Sequence, residues 1–103
     1  MSHEVITDLI TEVSIQPGSV VSKVVDRGEG LDTTVFGFDS GESLTEHSSP
    51  RTALVQLLQG GMRITVDGVE HDARPGFWMK MSPGAPHSLV AKEPSILLLT
   101  LVG

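Results

Sequence analysis

The chain contains four histidines and no cysteine, so imidazoles and carboxylates are the side chains available for metal binding or proton transfer. His47 and His87 lie next to prolines and glycines, where loops are expected to meet strands and where binding residues are concentrated. His3 lies in a terminal segment and His71 lies between two acidic residues, so we interpret both as solvated side chains. His47 and His87 are therefore the candidates for chemistry.

The elements that position these residues are predicted to be β-strands. Eleven glycines and six prolines separate short runs rich in Val, Ile, Leu, Thr and Phe, which is typical of an all-β sandwich or small barrel. The predicted strands span residues 19–26, 33–39, 53–59, 63–66, 69–72, 77–81, 87–91 and 96–102. Asp67-Gly68 predicts a type I′ hairpin, since this turn needs positive φ at both of its central residues.

A length of 103 residues predicts one domain, with residues 19–103 as the barrel. Residues 1–18 are expected to pack on the barrel or on a partner subunit. Within them, residues 5–13 carry apolar side chains at steps of three and four, which favours a short helix and an extra edge strand about equally.

Two predicted strands lack the alternation of polar and apolar residues that a half-solvated strand shows. They are residues 53–58 and 96–102, and both faces of each need cover. One face can line the barrel interior, while the other must pack on a second layer, on the N-terminal segment or on another subunit, and the pattern favours a homodimer.

The charge and the hydropathy pattern exclude several classes of partner. Thirteen acidic residues against seven basic ones give a net charge of −6, which disfavours nucleic acid and anionic membranes. The longest aliphatic run, residues 96–99, is far shorter than the roughly 20 residues that cross a bilayer. The first residues lack the pattern of a secretory signal. We therefore expect a cytoplasmic protein whose partner is a small molecule.

Over about residues 33–102, the spacing of several residues resembles the cupin superfamily. The first cupin motif places a glycine, two histidines, a glutamate and a second glycine at fixed intervals. Gly41 and His47 occupy two of these positions, and the final glycine is also present. Ser49 stands in place of the second histidine, however, and Ala53 stands in place of the glutamate.

The second cupin motif is also present, 15 residues after the first. Gly76, Gly84 and His87 keep their spacing, while Pro83 is shifted by one place and Ala91 replaces an asparagine. The resemblance implies a double-stranded β-helix, or jelly-roll barrel, whose interior can hold a divalent metal and an organic ligand.

The resemblance and the strand alternation together predict a ligand site inside the barrel. Its candidate residues are His47, Ser49, Arg51, Met79, Met81 and His87. Alternation places Met79 and Met81 on the interior face, and Arg51 could neutralise an acidic ligand at the barrel opening. The resemblance makes His47 and His87 metal ligands, suited to Zn, Ni, Mn, Fe or Cu.

The sequence leaves three interpretations of function open. The first is a small stand-alone cupin that binds an organic ligand with weak metal binding or none, because the second His and the Glu are missing. The second is a metal-dependent cupin enzyme of the dioxygenase, isomerase or decarboxylase type. The third is a metal-free enzyme in which His47 or His87 is a general base.

Overall fold

The computed structural model describes residues 2–103, and within them nine β-strands follow a short N-terminal segment. The strands are β1 (Val20–Gly28), β2 (Leu31–Phe38), β3 (Ser43–His47), β4 (Thr52–Gln59), β5 (Met62–Val66), β6 (Val69–Ala73), β7 (Trp78–Met81), β8 (His87–Ala91) and β9 (Ser95–Val102). They form a five-stranded sheet in the order β1-β2-β9-β4-β7 and a four-stranded sheet in the order β3-β8-β5-β6. All pairings are antiparallel, which confirms the predicted all-β class.

Apolar side chains from both sheets fill the space between them, as the alternation of the strands requires. Phe38, Leu57, Met62, Ile64 and Leu97 are among the side chains enclosed in this interior. The β5–β6 hairpin turns at Asp67 and Gly68 with φ of 49° and 78°, which confirms the predicted type I′ turn.

Each of the eight predicted strands has a counterpart, and β3 was not predicted. β3 reads Ser-Leu-Thr-Glu-His, in which only Leu44 is apolar, so it carries no hydrophobic signal. It pairs with β8 alone, at the edge of the four-stranded sheet, and this position tolerates polar side chains on both faces.

The N-terminal segment contains a single 3₁₀ turn, Leu9–Glu12, in place of the longer helix or the edge strand expected over residues 5–13. Leu9, Val13 and Ile15 pack on the outer face of the five-stranded sheet, against a buried cluster that includes Leu98. This contact covers part of the outer face of β9, and the N-terminal segment was one of the three kinds of cover that the sequence left open. The homodimer itself stays a prediction.

Two features hold this segment close to the barrel. The first is Gly37 on β2, which has no side chain. A Cβ at this position would lie 3.3 Å from Ile15 and 3.4 Å from Val13, so glycine lets the segment approach β2 closely. The backbone N–H of Gly18 donates to Asp39 Oδ2 at 2.7 Å. This bond and a second from the N–H of Ser40 hold the pKa of the Asp39 carboxyl below its usual range.

No helix within residues 2–103 combines the length and the hydrophobicity needed to cross a bilayer.

Candidate functional site

The topology brings the two candidate histidines to one end of the barrel. Gly60 and Gly61 connect β4 to β5, so the end of β4 and the start of β5 share one end of the barrel. The opposite end is where β3 ends at His47, β4 begins at Thr52 and β8 begins at His87. We call this end the barrel mouth.

The two imidazoles contact each other at the mouth. His47 and His87 are register partners of the β3–β8 pair, and their ring centroids lie 4.1 Å apart with an angle of 60° between the planes. His87 is 7% exposed, whereas His47 is exposed to solvent. One ring therefore belongs to the barrel interior and the other lies at its rim.

Each imidazole is oriented by the backbone two residues before it. Nδ1 of His47 lies 2.8 Å from the carbonyl oxygen of Thr45, and Nδ1 of His87 lies 2.9 Å from that of Ala85. Because a carbonyl oxygen can only accept, Nδ1 must be the donor in both rings. In the neutral form of each ring, the lone pair is therefore on Nε2.

The Nε2 atoms are available to a ligand. Neither has a protein partner within residues 2–103, where Asp32 Oδ1 and Arg51 Nε are the enclosed side-chain atoms without one. Nε2 of the mostly buried His87 is not among these enclosed atoms. The site thus presents two fixed hydrogen-bond acceptors.

The two methionines lie on the interior side of β7, as alternation predicted. Met81 is 4% exposed within the core cluster, and Met79 is half-buried against it. Trp78 and Lys80 lie on the outer face and are exposed. Met81 pairs with Ala53 in the register of β4 and β7 and is part of the packed core.

The loop before β4 forms hydrogen bonds with the loop before β8 and with strands β2 and β9. The carbonyl oxygen of Ser49 accepts from the N–H of Gly84 at 2.7 Å, and its Oγ accepts from the N–H of Arg51 at 3.1 Å. The side chain of Arg51 donates through Nη1 to Asp32 Oδ2 at 2.5 Å and through Nη2 to the carbonyl oxygen of Leu101 at 3.3 Å.

The structure therefore gives Arg51 a protein partner where the sequence suggested an acidic ligand. Sequence reasoning missed Asp32, although a signal was present. Asp32 lies one residue before the predicted strand 33–39, and extending the alternation of that strand backwards would have placed Asp32 on the same face as Phe36 and Phe38.

The residues at the mouth do not fit a tightly held metal ion. Transition metals are generally held by three or more protein ligands, and His47 and His87 supply two nitrogens. Ala53 has no donor atom, and Ser49 Oγ already bonds the backbone of Arg51. In the part of the chain that the structure describes, no three His, Asp or Glu side chains converge on a common point.

Solved structures from three bacteria resemble this chain closely. A conserved protein of unknown function from Streptococcus pyogenes is 34% identical, with a TM-score of 0.87 over 99% of this chain and 90% of that one. A cupin 2 conserved barrel domain protein from Leptotrichia buccalis is 33% identical, with a TM-score of 0.85. A cupin superfamily protein from Desulfitobacterium hafniense is 22% identical over 91% of this chain and 86% of that one, with a TM-score of 0.87.

The Leptotrichia match covers 92% of this chain but 46% of that one, so this chain spans about half of its length. No protein-family model matches the chain, and no curated protein matches it. The structural matches confirm the predicted double-stranded β-helix.

Proposed function

This chain belongs to the cupin superfamily, and from that premise we propose that it binds a small organic ligand at its barrel mouth without a tightly held metal. The observation that carries the proposal is the pair of Nε2 lone pairs of His47 and His87, fixed in direction by the bonds of both Nδ1 atoms. A ligand hydroxyl or amine group would donate to them.

The barrel interior on the side that faces the sheet of His87 is apolar. Phe36, Leu99 and Leu101 are half-buried apolar side chains on the interior side of the five-stranded sheet, and His87 belongs to the facing sheet. Small-molecule sites are generally concave and mostly apolar, with a few polar groups that fix the orientation of the ligand. The imidazoles supply those polar groups here.

The same lone pairs favour a second candidate, general-base catalysis on the bound ligand. A neutral imidazole accepts a proton at the nitrogen that carries its lone pair, which is Nε2 in both rings. Turnover would then depend on the same two residues as binding.

Replacing either histidine with alanine is expected to lower the amount of co-purifying ligand by about tenfold or more, since each variant removes one oriented acceptor. Mass spectrometry of the small molecules released by denaturing the purified protein measures this amount. His71→Ala is the matched control, because His71 is exposed on β6, two strands from β8. A released compound that is equally abundant in all three variants, or no compound from the wild type, would count against the proposal.

Elemental analysis of untagged protein purified without chelators is expected to give far less than one transition-metal ion per chain. The physical reason is the ligand set of two imidazoles, which falls short of the usual three or more protein ligands. About one ion per chain, lost in both the His47→Ala and the His87→Ala variants, would contradict this and favour the metal-dependent alternative.

A further inference from the structure

An ion pair lies across the interior face of the barrel mouth. Asp32 on β2 and Ala53 on β4 are both register partners of Leu101 on β9, the strand between them. Arg51 lies two residues before the buried Ala53, and its guanidinium reaches past β9 to Asp32. Arg51 and Asp32 are each about one quarter exposed, at 26% and 25%.

Stability alone is a poor explanation for this pair. Asp32 Oδ1 and Arg51 Nε are enclosed and have no partner within residues 2–103, and such atoms cost free energy in a folded protein. Ion pairs that keep part of their surface in water generally contribute little to stability. The position of the pair at the barrel mouth, where a ligand would enter, connects it to ligand selection.

We propose that Asp32 is a positioning residue that sets the charge preference of the mouth. By holding the guanidinium of Arg51, it withdraws that cation from incoming ligands and leaves the Nε2 acceptors of His47 and His87 to select them. The barrel then takes an uncharged, hydroxyl-bearing ligand in preference to a carboxylate. This inference rests on the proposed function, because it assumes that ligands bind at the mouth.

A second arginine, Arg27, lies beside Asp32 and is unchanged in every variant of the test. Arg27 on β1 is the register partner of Asp32, is exposed, and belongs to the edge strand of the five-stranded sheet. Because every variant below retains Arg27, differences between the variants report on Asp32 and Arg51.

The test compares lactamide with lactate, which have similar size and the same α-hydroxyl group but differ in charge. Each compound is titrated into ¹⁵N-labelled protein in one buffer at pH 8, and the side-chain signals of His47 and His87 are followed by NMR. The wild type is expected to bind lactamide more tightly than lactate. Asp32→Asn frees the guanidinium and is expected to raise the affinity for lactate by about tenfold, as one charge-assisted hydrogen bond would.

Two further variants separate this role from a purely structural one. Asp32→Glu keeps a carboxylate for Arg51 and is expected to keep the wild-type preference. Asp32→Asn combined with Arg51→Met removes both charges and is expected to show no gain in lactate affinity. Backbone spectra of each variant verify that it is folded, and the wild-type preference can be tested without any variant.

The possible failures can be told apart. Histidine signals that neither compound moves would contradict the proposed function itself. A wild type that prefers lactate, or a folded Asp32→Asn variant without the gain, would overturn the assignment of Asp32 and leave ligand binding at the mouth intact.

Discussion

Replacing Gly60 with alanine is expected to lower the free energy of unfolding by about 3 kcal/mol or more. Gly60 has a φ of +90°, a conformation that residues with a Cβ rarely adopt. The added Cβ would also lie 2.3 Å from the carbonyl oxygen of Pro94 and 2.3 Å from Ser95 Oγ. Urea unfolding at equilibrium measures the loss.

Gly68→Ala is the matched control for this prediction. Gly68 also has a positive φ, +78°, but no heavy atom lies within 4 Å of the Cβ that alanine would add. Its expected cost is the backbone strain alone, about 1 kcal/mol. Equal losses in the two variants would show that the close contacts with Pro94 and Ser95 contribute nothing. Gly60 lies at the end of the barrel opposite the mouth, so the folded Gly60→Ala protein is expected to keep its ligand preference.

The architecture of this barrel could largely be predicted because its signals are local. Turn residues separate the strands, and alternation correctly placed Met79 and Met81 inside and Trp78 outside. Residues 5–13 illustrate the limit of this reasoning. Leu9 and Val13 pack on the sheet as their apolar spacing suggests, but so short a segment has little helical preference of its own, and it forms a single 3₁₀ turn.

The site could be predicted only in part, because its contacts depend on strand order. The motif spacing identified His47 and His87 without any knowledge of the pairing of β3 with β8. The partner of Arg51 is 19 residues earlier in the chain, and the two meet because β9 lies between β2 and β4. Spacing along the chain does not encode that order. The bonds that orient the imidazoles depend on backbone geometry in the same way.

Replacing Phe38 with alanine is expected to lower the free energy of unfolding by about 3–5 kcal/mol. Phe38 is fully enclosed at the end of β2 farthest from the mouth, and its ring stacks on that of Phe36 with 6.2 Å between the centroids. Truncating an enclosed aromatic side chain removes its burial and leaves a cavity that the rigid barrel fills only partly. Urea unfolding followed by circular dichroism measures the change.

Phe36→Ala provides the comparison, because Phe36 lies on the same face of the same strand, one step closer to the mouth, and is only half-buried. Its expected cost is about 2 kcal/mol, since the unfolded and folded states differ less in the exposure of its ring. The truncation would also widen the interior beside its register partner Leu97, so the variant is expected to accept bulkier ligands than the wild type. If both truncations lower the free energy of unfolding equally, the side chains near the mouth are packed as tightly as those at the enclosed end of the barrel. The mouth would then be as densely packed as the core and would leave a ligand no room beside the two imidazoles.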